Sequence, residues 1–191
     1  AQTALGKMYL GGMGVSGNNE EGLKWFRKAA ERGDAQAQYL LGLAYLNGQV
    51  VKQDIAEGVK WISKAAEQGY ADAEADLGSL YYSGTGVKQD DSEAAKWLLK
   101  AADQGNAGAQ TAIGNLYFAG TGVKEDYAEA AKWFAKAADQ DSPEAEYTLG
   151  RMYLKGAGVK QDAAEGEKLI REAAEHGNEE AKAYLKELPG K

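Results

Sequence analysis

The chain of 191 residues contains no cysteine, only two prolines and a single histidine. Without cysteine it forms neither a disulfide framework nor a zinc site with thiolate ligands. Because a chain without thiols tolerates oxidising and reducing surroundings alike, this absence leaves the cellular compartment open. No apolar run approaches the roughly 18 residues that a membrane-spanning helix requires, so we expect no membrane span.

Positive charge is also scarce. Lysine and arginine together number 22 against 29 aspartates and glutamates, which gives a formal net charge of −7. Nucleic acids and anionic membrane surfaces select proteins with clustered cations. We therefore expect neither of them as the main partner of this protein.

The sequence contains five copies of a 36-residue pattern, with no insertion that disturbs their register. A fixed period of about 20–50 residues indicates a solenoid or a comparable array of repeats. Each copy has a glycine, a tyrosine, a tryptophan or leucine, and a pair of alanines at the same places. The glycines are Gly6, Gly42, Gly78, Gly114 and Gly150; the tyrosines are Tyr9, Tyr45, Tyr81, Tyr117 and Tyr153; the next position holds Trp25, Trp61, Trp97, Trp133 or Leu169; and the alanine pairs are 29–30, 65–66, 101–102, 137–138 and 173–174.

One repeat, residues 34–69, reads as two helices. Apolar residues at helical spacing predict a first helix over about 35–46, which ends at Gly48. Asp54 is a preferred N-cap residue, and Glu57 three residues later completes a capping-box pattern for a second helix that runs to about residue 68. The corresponding pairs are Asn18/Glu21, Asp90/Glu93, Asp126/Glu129 and Asp162/Glu165. These glutamates also precede a lysine by three residues, a spacing typical of weak helical ion pairs.

The loop "GTGVKQD" at residues 84–90 is rich in glycine, as phosphate-binding loops are. A nucleotide loop is normally present once, whereas this string has five exact or looser copies, no strand precedes it, and the Lys-Ser/Thr of a P-loop is missing. We interpret its glycines as residues that permit positive φ, Val87 as a core residue and Asp90 as a helix cap. This interpretation predicts no bound cofactor.

A helix pair with Leu-Gly-x-x-Tyr in its first helix and Ala-x-x-(Trp/Phe)-x-x-Lys-Ala-Ala in its second resembles the Sel1-like repeat, a relative of the tetratricopeptide repeat. The Gly-x-Gly-Val loop of that family stands at 12–15, 84–87, 120–123 and 156–159, and Val50 replaces its second glycine in the second repeat. The resemblance implies an all-α fold, a right-handed α/α solenoid (superhelix), in one domain over residues 1–191. Its parts would be repeats at about 1–34, 35–70, 71–106, 107–142 and 143–178, and a capping helix at 179–188.

The first residue, Ala1, aligns with Ala37, which stands two residues after the start of a first helix. We therefore expect that sequence precedes it in the natural protein, such as an export signal or further repeats.

Residues suited to catalysis are few. His176 is the only histidine, and its place in the last turn of a helix suits a structural role, since a polar or cationic side chain there complements the helix dipole. The repeated carboxylates are already assigned to helix caps, and Asp90-Asp91 is a charge run at a helix start. We expect no catalytic residue, no metal site and no enzymatic activity.

Partner specificity is expected at positions that change from repeat to repeat, because the solenoid constrains its core and leaves the surface free. The resemblance to tetratricopeptide repeats implies that the first helices line a concave face. Tyrosine and arginine commonly act as anchors at such surfaces, whereas Tyr82 and Phe118 are equally compatible with packing between repeats. The predicted partner-binding residues are Tyr39, Leu43, Asn47, Ser79, Tyr82, Asn115, Phe118, Tyr147, Arg151 and Lys155.

These patterns favour a non-enzymatic scaffold or adaptor that binds a protein or peptide in its concave groove. Resemblance to Sel1-like proteins implies a bacterial protein of the envelope or periplasm, or a secreted one, with the cytoplasm as the alternative, and we expect a monomer. One alternative function is an immunity protein that neutralises a secreted antibacterial toxin. Another is an envelope protein that binds or hydrolyses cell-wall glycan, in which exposed tyrosines stack on sugars.

Overall fold

The computed structural model describes residues 19–48 and 51–187 of the chain. This part of the chain folds into ten α-helices and contains no β-strand, which confirms the all-α prediction. In chain order the helices are α1 (Asn19–Glu31), α2 (Ala35–Asn47), α3 (Ile55–Glu67), α4 (Ala71–Ser83), α5 (Asp91–Asp103), α6 (Ala107–Ala119), α7 (Tyr127–Ala138), α8 (Pro143–Lys155), α9 (Ala163–Glu175) and α10 (Glu179–Glu187).

The helix pair α2–α3 has the bounds that its sequence predicted, to within about one residue. The Asp34 side chain accepts a hydrogen bond from the Ala37 amide at 2.8 Å and caps the start of α2. Gly48 adopts a left-handed conformation with φ of 67° and ends this helix. Local capping chemistry thus determines where the first helix begins and ends.

The second helices begin as predicted, but only half of the expected capping box forms. The Asp54 carboxylate accepts a hydrogen bond from the Glu57 amide at 3.0 Å. The Glu57 carboxylate, however, pairs with Lys60 at 3.0 Å, because the Asp54 amide already donates to the Tyr45 carbonyl at 3.0 Å. In three further repeats the glutamate likewise pairs with a lysine while the cap amide donates to a tyrosine carbonyl: Asp90/Glu93/Lys96, Asp126/Glu129/Lys132 and Asp162/Glu165/Lys168. Asn18 lies outside the described residues.

The loop at residues 84–90 connects the two helices of one repeat and packs against the repeat before it. Gly84 and Gly86 have φ of 69° and 72°. A Cβ on Gly86 would lie 2.6 Å from Ile55 Cγ2 on α3, and Val87 is half-buried against the neighbouring core. These contacts confirm the structural interpretation of this loop; Val50, in the corresponding loop of the second repeat, lies outside the described residues.

Glycines let the two helices of a repeat approach at backbone distance. A Cβ on Gly42 would lie 2.6 Å from Ile62 Cγ1 and 3.0 Å from the Gly58 carbonyl oxygen. In the last repeat, a Cβ on Gly150 would lie 2.9 Å from the carbonyl oxygen of Gly166. The glycine that recurs every 36 residues therefore serves packing.

The tryptophans join the core to different extents. Trp61 and Trp133 are buried, whereas Trp25 and Trp97 are half-buried, as are the repeated tyrosines that the structure describes. In four repeats a lysine ammonium lies 3.7–4.7 Å from the centroid of the tryptophan ring three residues before it. The lysine covers a ring face that the helices leave open, and the contact is a cation–π interaction.

The chain divides into two compact units, residues 1–101 and 102–191. Within the first, α1 packs on α2, α2 on α3 and α3 on α4; within the second, α6, α7, α8, α9 and α10 pack in the same consecutive way. Each of these helices thus packs against its neighbours in the chain, as the helices of repeat proteins do. The predicted capping helix is α10, whose buried Ala181 packs with Ile170 and Ala173.

None of the helices in the described part of the chain has both the length and the apolar character needed to cross a membrane.

Candidate functional site

The second unit contains a pocket of about 290 Å³ beside α8. Helix α6 contributes one aromatic side chain, α8 contributes most of the wall, and the loop that follows α8 closes one side. The lining residues are Phe118, Tyr147, Thr148, Arg151, Met152, Lys155 and Ala157.

The core holds the pocket in place. Met152 is buried in the cluster that also contains Phe134 and Leu149, so the α8 wall is anchored from behind. The chain turns at Gly156, which has φ of 69°, and the Ala157 amide then donates to the Met152 carbonyl at 3.0 Å. Buried side chains and a backbone hydrogen bond therefore hold Met152 and Ala157 of the lining in place.

Two cations give the pocket a positive character in a protein of net charge −7. The Arg151 guanidinium lies 5.6 Å from the centroid of the Tyr147 ring, one turn earlier on α8. Among residues 19–48 and 51–187, neither Arg151 nor Lys155 forms an ion pair, whereas second-helix lysines such as Lys132 pair with a glutamate. The pocket thus presents positive charge that has no anionic partner within this part of the chain.

An exposed pair of aromatic rings adjoins the pocket. The rings of Phe118 and Tyr127 lie 5.1 Å apart between centroids and are tilted by 58°, and each residue is 39% exposed. Phe118 therefore does not serve purely as packing between repeats, which was one of its two interpretations. It offers apolar surface to solvent next to the charged groups.

Four of the ten predicted site residues line this pocket, and a fifth lies near it. These four are Phe118, Tyr147, Arg151 and Lys155. Asn115 is one turn before Phe118 on α6, and its amide donates to the Glu144 carboxylate on α8 at 2.9 Å. Asn115 therefore joins α6 to α8.

The other five predicted residues belong to the first unit, and they differ in whether their side chains are exposed to a partner. Leu43 is half-buried against the core, and the Ser79 hydroxyl donates to the Ala75 carbonyl of its own helix at 3.1 Å. Asn47 is exposed at the end of α2, and Tyr82 is 51% exposed. Of these four, Asn47 and Tyr82 have side chains that remain open to a partner.

The fifth of these residues, Tyr39, is held within its own unit. Its hydroxyl hydrogen-bonds to the Asp76 carboxylate, and its ring lies 5.3 Å from that of Tyr70. Burial, followed by the nearby Asp76 charge, raises the pKa of Tyr39. Burial also raises the pKa of Asp76, although the tyrosine hydrogen bond opposes that shift.

Sequence reasoning missed Thr148, Met152, Ala157 and Tyr127. The predicted residues of α8 are Tyr147, Arg151 and Lys155, which follow one another at intervals of four, so they omit the adjacent row that contains Thr148 and Met152. Ala157 belongs to a loop and Tyr127 to a second helix, and a stripe restricted to first helices contains neither. A prediction that included the neighbouring row of α8 would have found Thr148 and Met152 together, because residues i and i+4 share a helix face.

The single histidine connects α8 to the end of α9. His176 Nδ1 lies 2.9 Å from Oε1 of Glu146, whose side chain is 3% exposed, and an Asp141 oxygen is also near, with all three donor groups within 4.8 Å of one another. In the described part of the chain, this is the cluster whose ligand types could hold a metal ion. The direct contact between His176 and Glu146 joins α8 to the end of α9, and the structural role of His176 stays a prediction.

Burial raises the pKa of Glu146, although its hydrogen bond and charge interaction with His176 oppose that shift. The same hydrogen bond raises the pKa of His176. Asp141, Glu172 and Glu175 add negative charge around the pair. The pair therefore binds a proton more tightly in the folded protein than in the unfolded chain.

We expect the protein to be less stable at pH 8 than at pH 6. A histidine pKa that folding raises contributes stability below its unfolded value, near 6.5, and loses it as pH rises through the folded value. The buried Glu146 carboxylate loses its cationic partner over the same range. Urea midpoints followed by circular dichroism at the two pH values measure this change.

The double variant Glu146→Gln/His176→Gln is the matched control. It reproduces the pair Gln110–Gln140, whose side chains hydrogen-bond at 2.8 Å at the equivalent place in an earlier repeat. We expect its midpoint to change less between pH 6 and pH 8. An equal change in the variant and the parent protein would show that this pair does not carry the pH dependence.

The Sel1 repeat family model matches residues 1–34, 35–70, 71–106, 107–142 and 143–178, which are the repeat boundaries predicted from the sequence. The chain belongs to the Sel1 repeat family. Sel1 repeat proteins are generally scaffolds, and their repeats mediate protein interactions. No curated protein matches the chain.

Solved structures of other Sel1 repeat proteins have the same fold. A protective antigen present in uropathogenic Escherichia coli strains, which displays an SLR fold, is 40% identical with a TM-score of 0.92, over 96% of this chain and 39% of that one. A Sel1 repeat protein from Oxalobacter formigenes is 38% identical with a TM-score of 0.88, over 96% of this chain and 73% of that one. This Sel1 repeat chain therefore spans less than half the length of the Escherichia coli antigen.

More distant similarity extends to an immunity protein from Pseudomonas aeruginosa. It is 21% identical with a TM-score of 0.57, over 100% of this chain and 72% of that one. At this level of identity, the similarity shows the fold alone. Together the comparisons confirm the α-solenoid class of Sel1 repeats.

Proposed function

We propose that this Sel1 repeat protein is a non-enzymatic scaffold that binds a protein or peptide through the pocket beside α8. The observation that carries the proposal is the convergence of Phe118, Tyr147, Arg151 and Lys155 on one pocket. Large aromatic side chains and arginine contribute much of the binding energy where partners meet. The pocket combines both types.

The chemistry of the lining supports binding over catalysis. The lining residues include no histidine, carboxylate or cysteine, so the side chains that most often act as general bases for a hydroxyl are not among them. Nucleophilic catalysis by a hydroxyl needs such a base within hydrogen-bond reach. We therefore assign the polar groups of this pocket to recognition.

The remaining predicted contact residues form a second part of the proposal. In the first unit, Tyr82 and Asn47 are the side chains best suited to contact a partner, because Tyr39, Leu43 and Ser79 already serve their own unit. In the second unit, Asn115 supports the pocket through its hydrogen bond to Glu144 at 2.9 Å.

A more specific candidate is an immunity protein that neutralises a secreted toxin. The fold similarity to the Pseudomonas aeruginosa immunity protein over 100% of this chain is consistent with this candidate. In that case the partner retained by the pocket would be a toxin, and its purified activity would fall when this protein is added. Retention on isolated cell wall would instead favour the glycan-binding alternative.

We expect Tyr147→Ala and Arg151→Ala each to weaken partner binding by about tenfold or more, which corresponds to roughly 1.4 kcal/mol. The full chain and each variant are used to capture partners from a bacterial lysate, and retained proteins are identified by mass spectrometry. Circular dichroism checks that the helical content is unchanged.

Arg171→Ala is the control, because Arg171 pairs with Glu167 at 3.7 Å and does not line the pocket. Capture that survives both pocket substitutions would show that the partner binds elsewhere. Capture that the control reduces equally would indicate a general charge effect.

A further inference from the structure

We propose that the pocket beside α8 receives the C-terminal residue of the partner, with its free carboxylate on Arg151 and Lys155 and an apolar side chain against Phe118 and Met152. This inference rests on the proposed function, because it specifies which part of the partner the scaffold binds.

The cations of the pocket are placed to share one anion. Arg151 and Lys155 stand four residues apart on α8, so their side chains share one helix face. A guanidinium binds a carboxylate through two parallel hydrogen bonds, while an ammonium acts as a compact point charge. The ring of Tyr147, 5.6 Å from the guanidinium carbon of Arg151, limits the directions that this side chain can take.

The charge of the whole chain favours a single negative group over an acidic stretch. A net charge of −7 repels a strongly acidic segment at long range. One carboxylate placed between two nearby cations gains the local attraction and incurs little of that repulsion. A terminal carboxylate on an otherwise neutral or basic segment satisfies both conditions.

The apolar side and the size of the pocket favour a chain end. Phe118, Met152 and Ala157 provide apolar surface in the same pocket as the two cations. The volume of about 290 Å³ lies at the lower limit of ligand pockets, which span about 300–1,000 Å³. A terminal residue carries both its carboxylate and its side chain on one Cα, whereas an internal acidic residue needs room for the backbone to leave in two directions.

The test uses fluorescein-labelled hexapeptides Gly-Ser-Gly-Ser-Gly-X, where X is Phe or Leu, with the whole chain and fluorescence anisotropy. We expect the free-acid peptides to bind at least about tenfold more tightly than the same peptides with an amidated C-terminus. Arg151→Gln and Lys155→Gln are each expected to reduce binding of the free acids by about tenfold or more while leaving the weak binding of the amides unchanged. Lys132→Gln, which removes a cation outside the pocket, should change neither.

Any of the following results would overturn the inference. Equal binding of free-acid and amidated peptides, or stronger binding of an amidated peptide with an internal glutamate, would show that the terminal carboxylate is not the ligand. No binding of any free acid, while the chain still captures a partner through Tyr147 and Arg151, would also reject it and leave the proposed function standing. Loss of both peptide binding and partner capture at this pocket would reject the proposed function as well.

Discussion

Replacing Phe134 with alanine is expected to lower the free energy of unfolding by about 3–5 kcal/mol, the usual cost of emptying an aromatic core site. Phe134 has an exposed fraction of 0% and is the largest fully buried side chain of the described core. Its ring fills the space that Gly114 leaves open, since a Cβ on that glycine would lie 2.8 Å from the ring. Urea unfolding followed by circular dichroism measures the loss.

Phe118→Ala is the matched control for this prediction. The same atoms are removed, but Phe118 is 39% exposed, so we expect a loss of about 1 kcal/mol or less, in the range of surface substitutions and partly buried aromatic contacts. Equal losses in the two variants would contradict the assignment of Phe134 to the core. Because repeat proteins can unfold in parts, hydrogen exchange of α7 and α8 should also become faster in Phe134→Ala.

Gly158→Ala is expected to destabilise the protein by about 2–5 kcal/mol. Gly158 has φ of 72°, a conformation that costs a residue with a side chain about 1–2 kcal/mol. A Cβ there would also lie 2.3 Å from the backbone carbonyl carbon and oxygen of Tyr127. Overpacking of this kind typically costs about 1–3 kcal/mol more. The urea midpoint of the variant measures the sum.

Gly105→Ala separates the two contributions. Gly105 has φ of 90°, and nothing lies within 4 Å of the position that its Cβ would occupy. We expect it to show only the conformational cost, about 1–2 kcal/mol. If the two variants lose the same stability, the close approach of the loop to α7 makes no contribution.

The candidate site shows which parts of a surface can be inferred from a repeat. Tyr147, Arg151 and Lys155 could be selected because a helix face recurs at a regular spacing, and positions on it that differ between repeats are not needed by the core. The same rule also selected Tyr39, Leu43 and Ser79, whose side chains pack or form hydrogen bonds within the first unit. The use of each side chain depends on its neighbours across the fold, such as Asp76 for Tyr39.

The capping of the second helices also shows that sequence position does not determine every hydrogen-bond partner. The N-cap role of Asp54 follows from its sequence position, since it bonds an amide three residues away. Whether Glu57 turns back to the cap or pairs with Lys60 depends on the Tyr45 carbonyl, which belongs to the preceding helix and takes the cap amide. The local sequence pattern predicts hydrogen bonds within one helix. It does not predict the partner of a group that a second helix can also reach.

The 36-residue period, the helix ends and the small residues at helix crossings are determined by the sequence alone, because each depends on local backbone geometry or on a pattern that every repeat shares. Only the tertiary structure shows that Phe118 meets Tyr147, Arg151 and Lys155 around one pocket. The physical reason is that a pocket exists where side chains from separate helices leave space unfilled. That space depends on how the helices pack, which no single repeat specifies.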